Sequence, residues 1–199
     1  MLARRGEQKI QDGRIDEAVA LTSAAGAMVE RAPSATRAFV LTKKATALSR
    51  SGDVGATEQA LGEARDAFAR TTDRPEPSWM SSYGWGHLLH DEALCQRNLG
   101  RGGEAVRAAE LALGVEERVR FERPRAFTLG VLAIGHAQAG NVEQACATGQ
   151  DLLALAARLH SARVRGRVAE LVNVLDGHRE HPAVRDLRGA AVPALAGGV

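Results

Sequence analysis

The chain has 199 residues and is 45% apolar but only 4% aromatic; 26 basic residues face 24 acidic ones, for a formal net charge of +2. That length buries a real core in one domain or two small ones. The near-neutral charge excludes a highly charged disordered chain and a protein that coats nucleic acid, and two cysteines exclude a disulfide scaffold and fit a reducing compartment.

The basic residues are 3 Lys against 23 Arg, which together with abundant Ala and Gly reads as coding bias. No apolar run follows Arg4-Arg5, so neither a secretory nor a twin-arginine signal is read. The longest uncharged stretch, 126–142, holds His136, Gln138 and Asn141 and is too short and polar to span a bilayer. A cytoplasmic chain with no membrane partner is expected.

The predicted elements are all helical, since no segment shows a period-2 strand pattern. Helices over 2–11 and 15–31 flank the turn Gly13-Arg-Ile-Asp-Glu-Ala18. Helices over 35–51 and 54–70 flank Gly52-Asp-Val-Gly-Ala-Thr57, the second carrying Val54, Ala60, Leu61, Ala64 and Phe68 at helical spacing. A Pro-containing loop from Thr71 enters a helix over 79–99 at Trp79. Gly100-Arg-Gly-Gly-Glu-Ala105 then leads into a helix over 103–117. Helices over 124–139 and 142–159 flank Gly140-Asn-Val-Glu-Gln-Ala145, the second with Val142, Ala145, Leu152, Leu155 and Leu159 in phase. A helix over 162–177 shows one apolar stripe of Val164, Val168, Leu171, Val172 and Leu175. A last helix over 182–190 precedes a tail, 191–199, expected to be disordered, with Pro193 and Gly197-Gly198.

The four turn glycines stand about 39, 48 and 40 residues apart. Seven residues before each comes a small residue (Gly6, Ala45, Ala93, Ala133), and twelve after it Ala25, Ala64, Ala112 or Leu152. A glycine can end a helix in the left-handed conformation, and small side chains let paired backbones approach. Glu17, Glu104 and Glu143 suit the positive end of the second helix of each pair. No pair buries its stripe alone, so neighbours must stack.

In these residues, over roughly 1–160, the chain resembles the tetratricopeptide repeat family. It departs from that pattern in having Leu41, Leu89 and Leu129 where the early aromatic stands, Thr57 at the turn alanine, and Gly149 and Leu152 in the fourth copy. The second-to-third spacing exceeds the usual repeat by about 14 residues. The resemblance implies an all-α, right-handed superhelix of about four divergent helix pairs over 1–160, with capping helices over 161–190. More narrowly, Pro77-Ser-Trp-Met80, Leu99-Gly-Arg101, Ala154-Leu-Ala-Ala-Arg158, Ser161-Ala-Arg-Val-Arg165 and His181-Pro-Ala-Val-Arg185 resemble the C-terminal repeat region of actinobacterial transcriptional regulators. Those regulators carry a Cro/repressor-type helix-turn-helix head, which residues 1–50 do not resemble. The chain therefore reads as opening inside a repeat's first helix, as a headless regulator or a free-standing repeat protein.

Several clusters admit chemistry. His87, Asp91 and Cys95 lie on one helical stripe with His90 close by, a pattern that can bind zinc, although one helix seldom aims more than two ligands; no metal and no cofactor is expected. Cys146 at a helix start reads as a reactive thiol or, more plainly, a small core residue. Arg158, Arg163, Arg165 and Arg167 form the densest basic cluster, but 165 points away from 163 and 167 and no aromatic residues interleave, so direct nucleic-acid binding is not expected. Trp79, Tyr83 and Trp85 either anchor an interface or close the 71–78 loop over the stack. Nucleophile-elbow and phosphate-loop motifs are absent, and Glu116-Glu117 reads as an exposed helix end, so no catalytic residue is assigned.

The resemblance implies a groove formed by the first helix of each pair. Its lining would be Phe39, Thr42, Thr46 and Ser49, then His87, His90, Leu94 and Arg97, then Phe127, Ile134 and Gln138. Such a face suits a protein or extended peptide bearing an acidic group or a terminal carboxylate, and a homodimer is a further partner class. The leading reading is an interaction module, as the sensor part of a bacterial regulator. The alternatives are a stand-alone scaffold and, from a different class, a metal- or thiol-dependent enzyme using His87, His90 and Cys95.

Overall fold

A computed structural model describes residues 2–70, 75–115 and 121–196, and the side chains of these except Ala196. Ten α-helices appear among the described residues, with no strand: α1 (Leu2–Gln11), α2 (Ile15–Met28), α3 (Ser34–Ser51), α4 (Val54–Ala69), α5 (Trp85–Asn98), α6 (Gly102–Leu113), α7 (Glu122–Gln138), α8 (Val142–Leu159), α9 (Ala162–Val174) and α10 (Pro182–Ala196). They form two compact units, 1–99 and 100–199.

The four turn glycines all take positive φ, between 74° and 81°. After Gly13, Gly52 and Gly140 the next amide reaches back to the carbonyl five residues earlier: Arg14 to Lys9, Asp53 to Leu48 and Asn141 to His136. This closure satisfies a carbonyl that the helix end would otherwise orphan. The following helix starts at once, and at α4 the Asp53 carboxylate accepts from the Ala56 amide at 3.0 Å.

The small residues lie where the pattern requires. Ala45, Ala93 and Ala133, like Ala18, Ala105 and Ala145, have no exposed surface, and Gly6 is buried too. In the first unit α3 packs on α4, and the first helices α1, α3 and α5 are consecutive neighbours. Ala38, Leu41, Ala64, Ala67 and Leu88 form one core cluster, and Ala45, Leu48, Ala60, Leu61 and Cys95 another. Burying Leu88 completely contributes about 2 kcal/mol.

The second unit repeats the alternation. There α7 contacts α6, α8 and α9, while α10 lies on α8. A Cβ on Gly102 would sit 2.6 Å from both the Gly135 carbonyl oxygen and the Ala139 nitrogen, so backbone meets backbone where α6 approaches α7. At Gly149, Leu171 and Leu187 fill the space a side chain would take. The helices over 161–196 thus continue the pair pattern, α9 beside the first helix α7 and α10 beside the second helix α8.

Several boundaries differ from the sequence pattern, and the helices expected to reach 31 and 117 end at Met28 and Leu113. The helix expected from 79 begins at Trp85, because Ser78–Met80 makes a short 3-10 turn after Pro77 and Gly84 is extended. The helix expected to reach 177 ends at Val174 and passes into a 3-10 turn, Leu175–His178. The last helix runs through Pro193 to Ala196, although Pro193 gives up a backbone donor there, and Ala191 is buried in the packing. Residues 197–199 and the Glu116-Glu117 pair lie outside the described residues.

Candidate functional site

In the first unit, polar and aromatic side chains from α1, α3, α5 and the 75–84 connection converge. Lys43 of α3 is the hub. Its Nζ donates to both Asp91 oxygens of α5 at 3.0 and 3.1 Å and lies 3.0 Å from Glu7 Oε1 of α1. The Lys43 and Asp91 side chains are only 12% and 8% exposed. Burial alone would depress the ammonium, but the two carboxylates reverse the direction and hold it above its ordinary range. Burial alone would likewise raise the Asp91 carboxyl; Lys43 outweighs it, and the net shift is downward.

Above this ion pair stands a stack of rings. Phe39 meets Trp79 edge-on at 5.9 Å and Tyr83 at 5.5 Å, Phe68 meets Tyr83 and Trp85, and Tyr83 lies 5.6 Å from His87. Two cations add to it: the Arg4 guanidinium lies 5.4 Å from the Trp79 ring centre and Lys43 Nζ 5.2 Å from that of Phe39. Burial, and then the negative charge of Asp91, raise the Tyr83 phenol. Trp79 and Trp85 remain 50% and 42% exposed.

Glu76 fixes the connection that carries Trp79. Its carboxylate accepts from the Ala35 and Thr36 amides at 2.7 and 3.2 Å and from the Thr36 hydroxyl at 2.7 Å. It caps α3 from 40 residues away in the chain, where Pro33 offers no side-chain cap.

The structure distributes the sequence-predicted groove residues unevenly. Thr42, Thr46 and Ser49 are buried, each donating its hydroxyl to a carbonyl three or four residues earlier in α3. Ser49 also accepts from Asn98, and Arg97, buried on α5, donates to Asn98. These residues form the floor between α3 and α5, while Phe39, His87, His90 and Leu94 are half-buried above it. In the second unit, on α7, Ile134 is buried, Phe127 half-buried and Gln138 exposed.

The His87–Asp91–Cys95 stripe does not converge on a common point: Asp91 is committed to Lys43, and Cys95 has no exposed surface. Among the described residues no group of three or more His, Cys, Asp or Glu could hold a metal ion. Burial, and then Asp91, push the Cys95 thiol up to about 12, and burial raises Cys146 as well. That is the opposite of what a reactive thiol needs. Within the basic cluster, Arg158 pairs with Glu122 at 2.6 Å and Arg167 with Glu170 at 2.7 Å. No helix among the described residues is long and apolar enough to cross a membrane.

Sequence reasoning missed Glu7, Lys43 and Glu76. One signal was available for Lys43: a lysine kept in so arginine-rich a chain. A compact ammonium with three donors fits between two carboxylates where a planar guanidinium would not.

Neither a protein-family model nor a curated protein matches this chain. Two solved structures do: a Podosopora anserina protein of nearly identical TPR-like repeats, described as a kinesin light chain, and a single-substitution variant of it. Each is 19% identical and covers 98% of this chain and 93% of its own, with TM-scores of 0.62 and 0.63. The likeness shows the fold: all-α, built from TPR-like helical repeats.

Proposed function

We propose that this chain is a non-enzymatic helical-repeat module that binds a protein or an extended peptide through its first unit. The observation that carries the reading is the half-exposed pair Trp79 and Trp85 in a ring cluster otherwise packed on α3 and α5. Tryptophans held rigid by neighbouring rings supply large contact area at little entropic cost, and Trp, Tyr and Arg dominate binding hot spots. The floor residues Thr42, Thr46, Ser49 and Arg97 support the surface without lining it. Phe39, His87, His90 and Leu94 are its half-buried flank, and the Arg4 guanidinium over Trp79 biases it toward partners carrying a carboxylate. The solved neighbours consist of TPR-like repeats, which agrees with this reading at the level of fold.

The finer reading, the sensor part of a bacterial transcriptional regulator, rests on the resemblance over 77–101 and 154–185. A helix-turn-helix encoded in frame upstream of Met1 would support it, and an independent promoter there would favour a stand-alone scaffold. The binding surface itself is tested with a displayed library of free C-terminal peptides. Trp79→Ala and Trp85→Ala are expected to weaken selected peptides about tenfold or more while the helical circular dichroism is unchanged. Full affinity in both variants would refute the assignment.

A further inference from the structure

A second, unrelated site lies in the second unit. A cleft of about 300 Å³ opens where α8 ends, α9 begins and the last turns of α10 pass, with Leu153, Ala156, Ala194 and Pro193 among its walls and His160 and Arg165 as its polar lining residues. The buried Leu153 and Ala156 form an apolar floor. No carboxylate lines the cleft, and among the described residues the Arg165 side chain makes no ion pair or hydrogen bond, unlike those of its neighbours Arg158 and Arg167.

The backbone adds an independent observation. Five described residues have positive φ; four are the turn glycines, and the fifth is His160, at φ 45°. A left-handed helix end normally takes glycine because a Cβ costs energy there. This chain uses glycine at the other four such turns and a histidine at the mouth of the cleft. Strain retained with a polar side chain at a cleft is characteristic of a site whose side chain is used.

We infer that this cleft binds a free medium-chain alkyl carboxylate, with the chain on the Leu153–Ala156 floor and the carboxylate on Arg165, beside His160. The apolar walls favour a hydrocarbon, and the half-buried Arg165 guanidinium, which has no carboxylate beside it in the cleft, selects an anion. The volume is at the small-molecule end of binding sites, too small for a folded partner's segment.

The test uses the full chain and isothermal titration with decanoate, decanol, decylamine and acetate. Decanoate is expected to bind one-to-one and saturably, with decanol about tenfold weaker or more, and decylamine and acetate without measurable binding. Arg165→Gln is expected to weaken decanoate to the level of decanol. Ala190→Phe, at an exposed lining position that tolerates bulk, is expected to abolish binding while circular dichroism and peptide binding by the first unit are unchanged. No saturable decanoate binding, equal binding of decylamine, or full affinity in either variant would overturn the assignment. Because the peptide site resides in the other unit, its loss would not affect this result.

Discussion

A single methyl group measures how closely these helices approach. At Gly102 an added Cβ would meet backbone atoms of α7 at 2.6 Å, and neither can move without displacing a helix. Gly102→Ala is expected to cost about 1–3 kcal/mol, seen as a lower urea midpoint at unchanged m-value. Gly166, inside α9, has nothing within 4 Å of the equivalent position, so Gly166→Ala is expected to gain about 0.5–1 kcal/mol. A Gly102→Ala variant as stable as the parent would refute the close approach of α6 and α7. Charge sets a second residue-scale expectation. Asp91 has a folded pKa below its unfolded value, so its contribution is present above roughly pH 4 and is lost as pH falls through the folded value. Cys95 is the reverse: its folded value of about 12 exceeds the unfolded value of roughly 8.5, so its contribution is complete below that pH and is lost on the way to 12. Asp91→Asn is expected to cost about 3 kcal/mol at pH 7 and to flatten the acid arm of a stability–pH curve. Cys95→Ala is expected to flatten the alkaline arm. An unchanged acid arm in Asp91→Asn would mean that Lys43 and Asp91 are not paired in solution.

At the scale of elements, what the sequence disclosed is what local sterics impose. The turn glycines, the small residues seven before them and the acidic first turns each answer to a constraint within one helix pair, so they recur in register and mark the helices. The start of α5 was not legible, because Trp79 and Met80 fit a helical stripe and only the extended Gly84 interrupts it. The cap of α3 was hidden for a different reason. Pro33 marks the helix start, but the acceptor is Glu76, brought back by tertiary packing. Glu76→Ala removes acceptors for two backbone amides and one hydroxyl and is expected to cost about 1–2 kcal/mol. The same change releases the connection that holds Trp79 against Phe39, so tryptophan emission should shift to the red in the folded state. A variant with unchanged stability and emission would show that the 75–84 connection is held by the rings alone.

Across the whole molecule, the fold was legible and the cluster around Lys43 was not, and both follow from where the information lies. A repeat states its packing rule several times over, so Thr57 or Leu152 in place of alanine does not obscure it. The ion cluster is stated once, by residues as far apart as Glu7, Lys43 and Asp91, whose meeting depends on the helices being packed. The groove expected along the first helices therefore mixed half-buried flank residues with Thr42, Thr46 and Ser49, whose hydroxyls turn back on their own helix. Repetition also governs how a local defect spreads. Stability in stacked repeats is a sum of nearest-neighbour terms, so a perturbation weakens adjacent pairs and decays with distance along the stack. Gly149→Ala tests this, because its methyl would press on Leu171 and Leu187 of α9 and α10 at 2.8–3.0 Å, side-chain ends that can yield. Amide exchange in α8, α9 and α10 is expected to accelerate about tenfold, a loss of about 1.4 kcal/mol, while α1 to α4 stay within about twofold. Equal acceleration in all ten helices would instead mean that the chain opens only as one cooperative body, and the division into units at 99 and 100 would then have no energetic meaning.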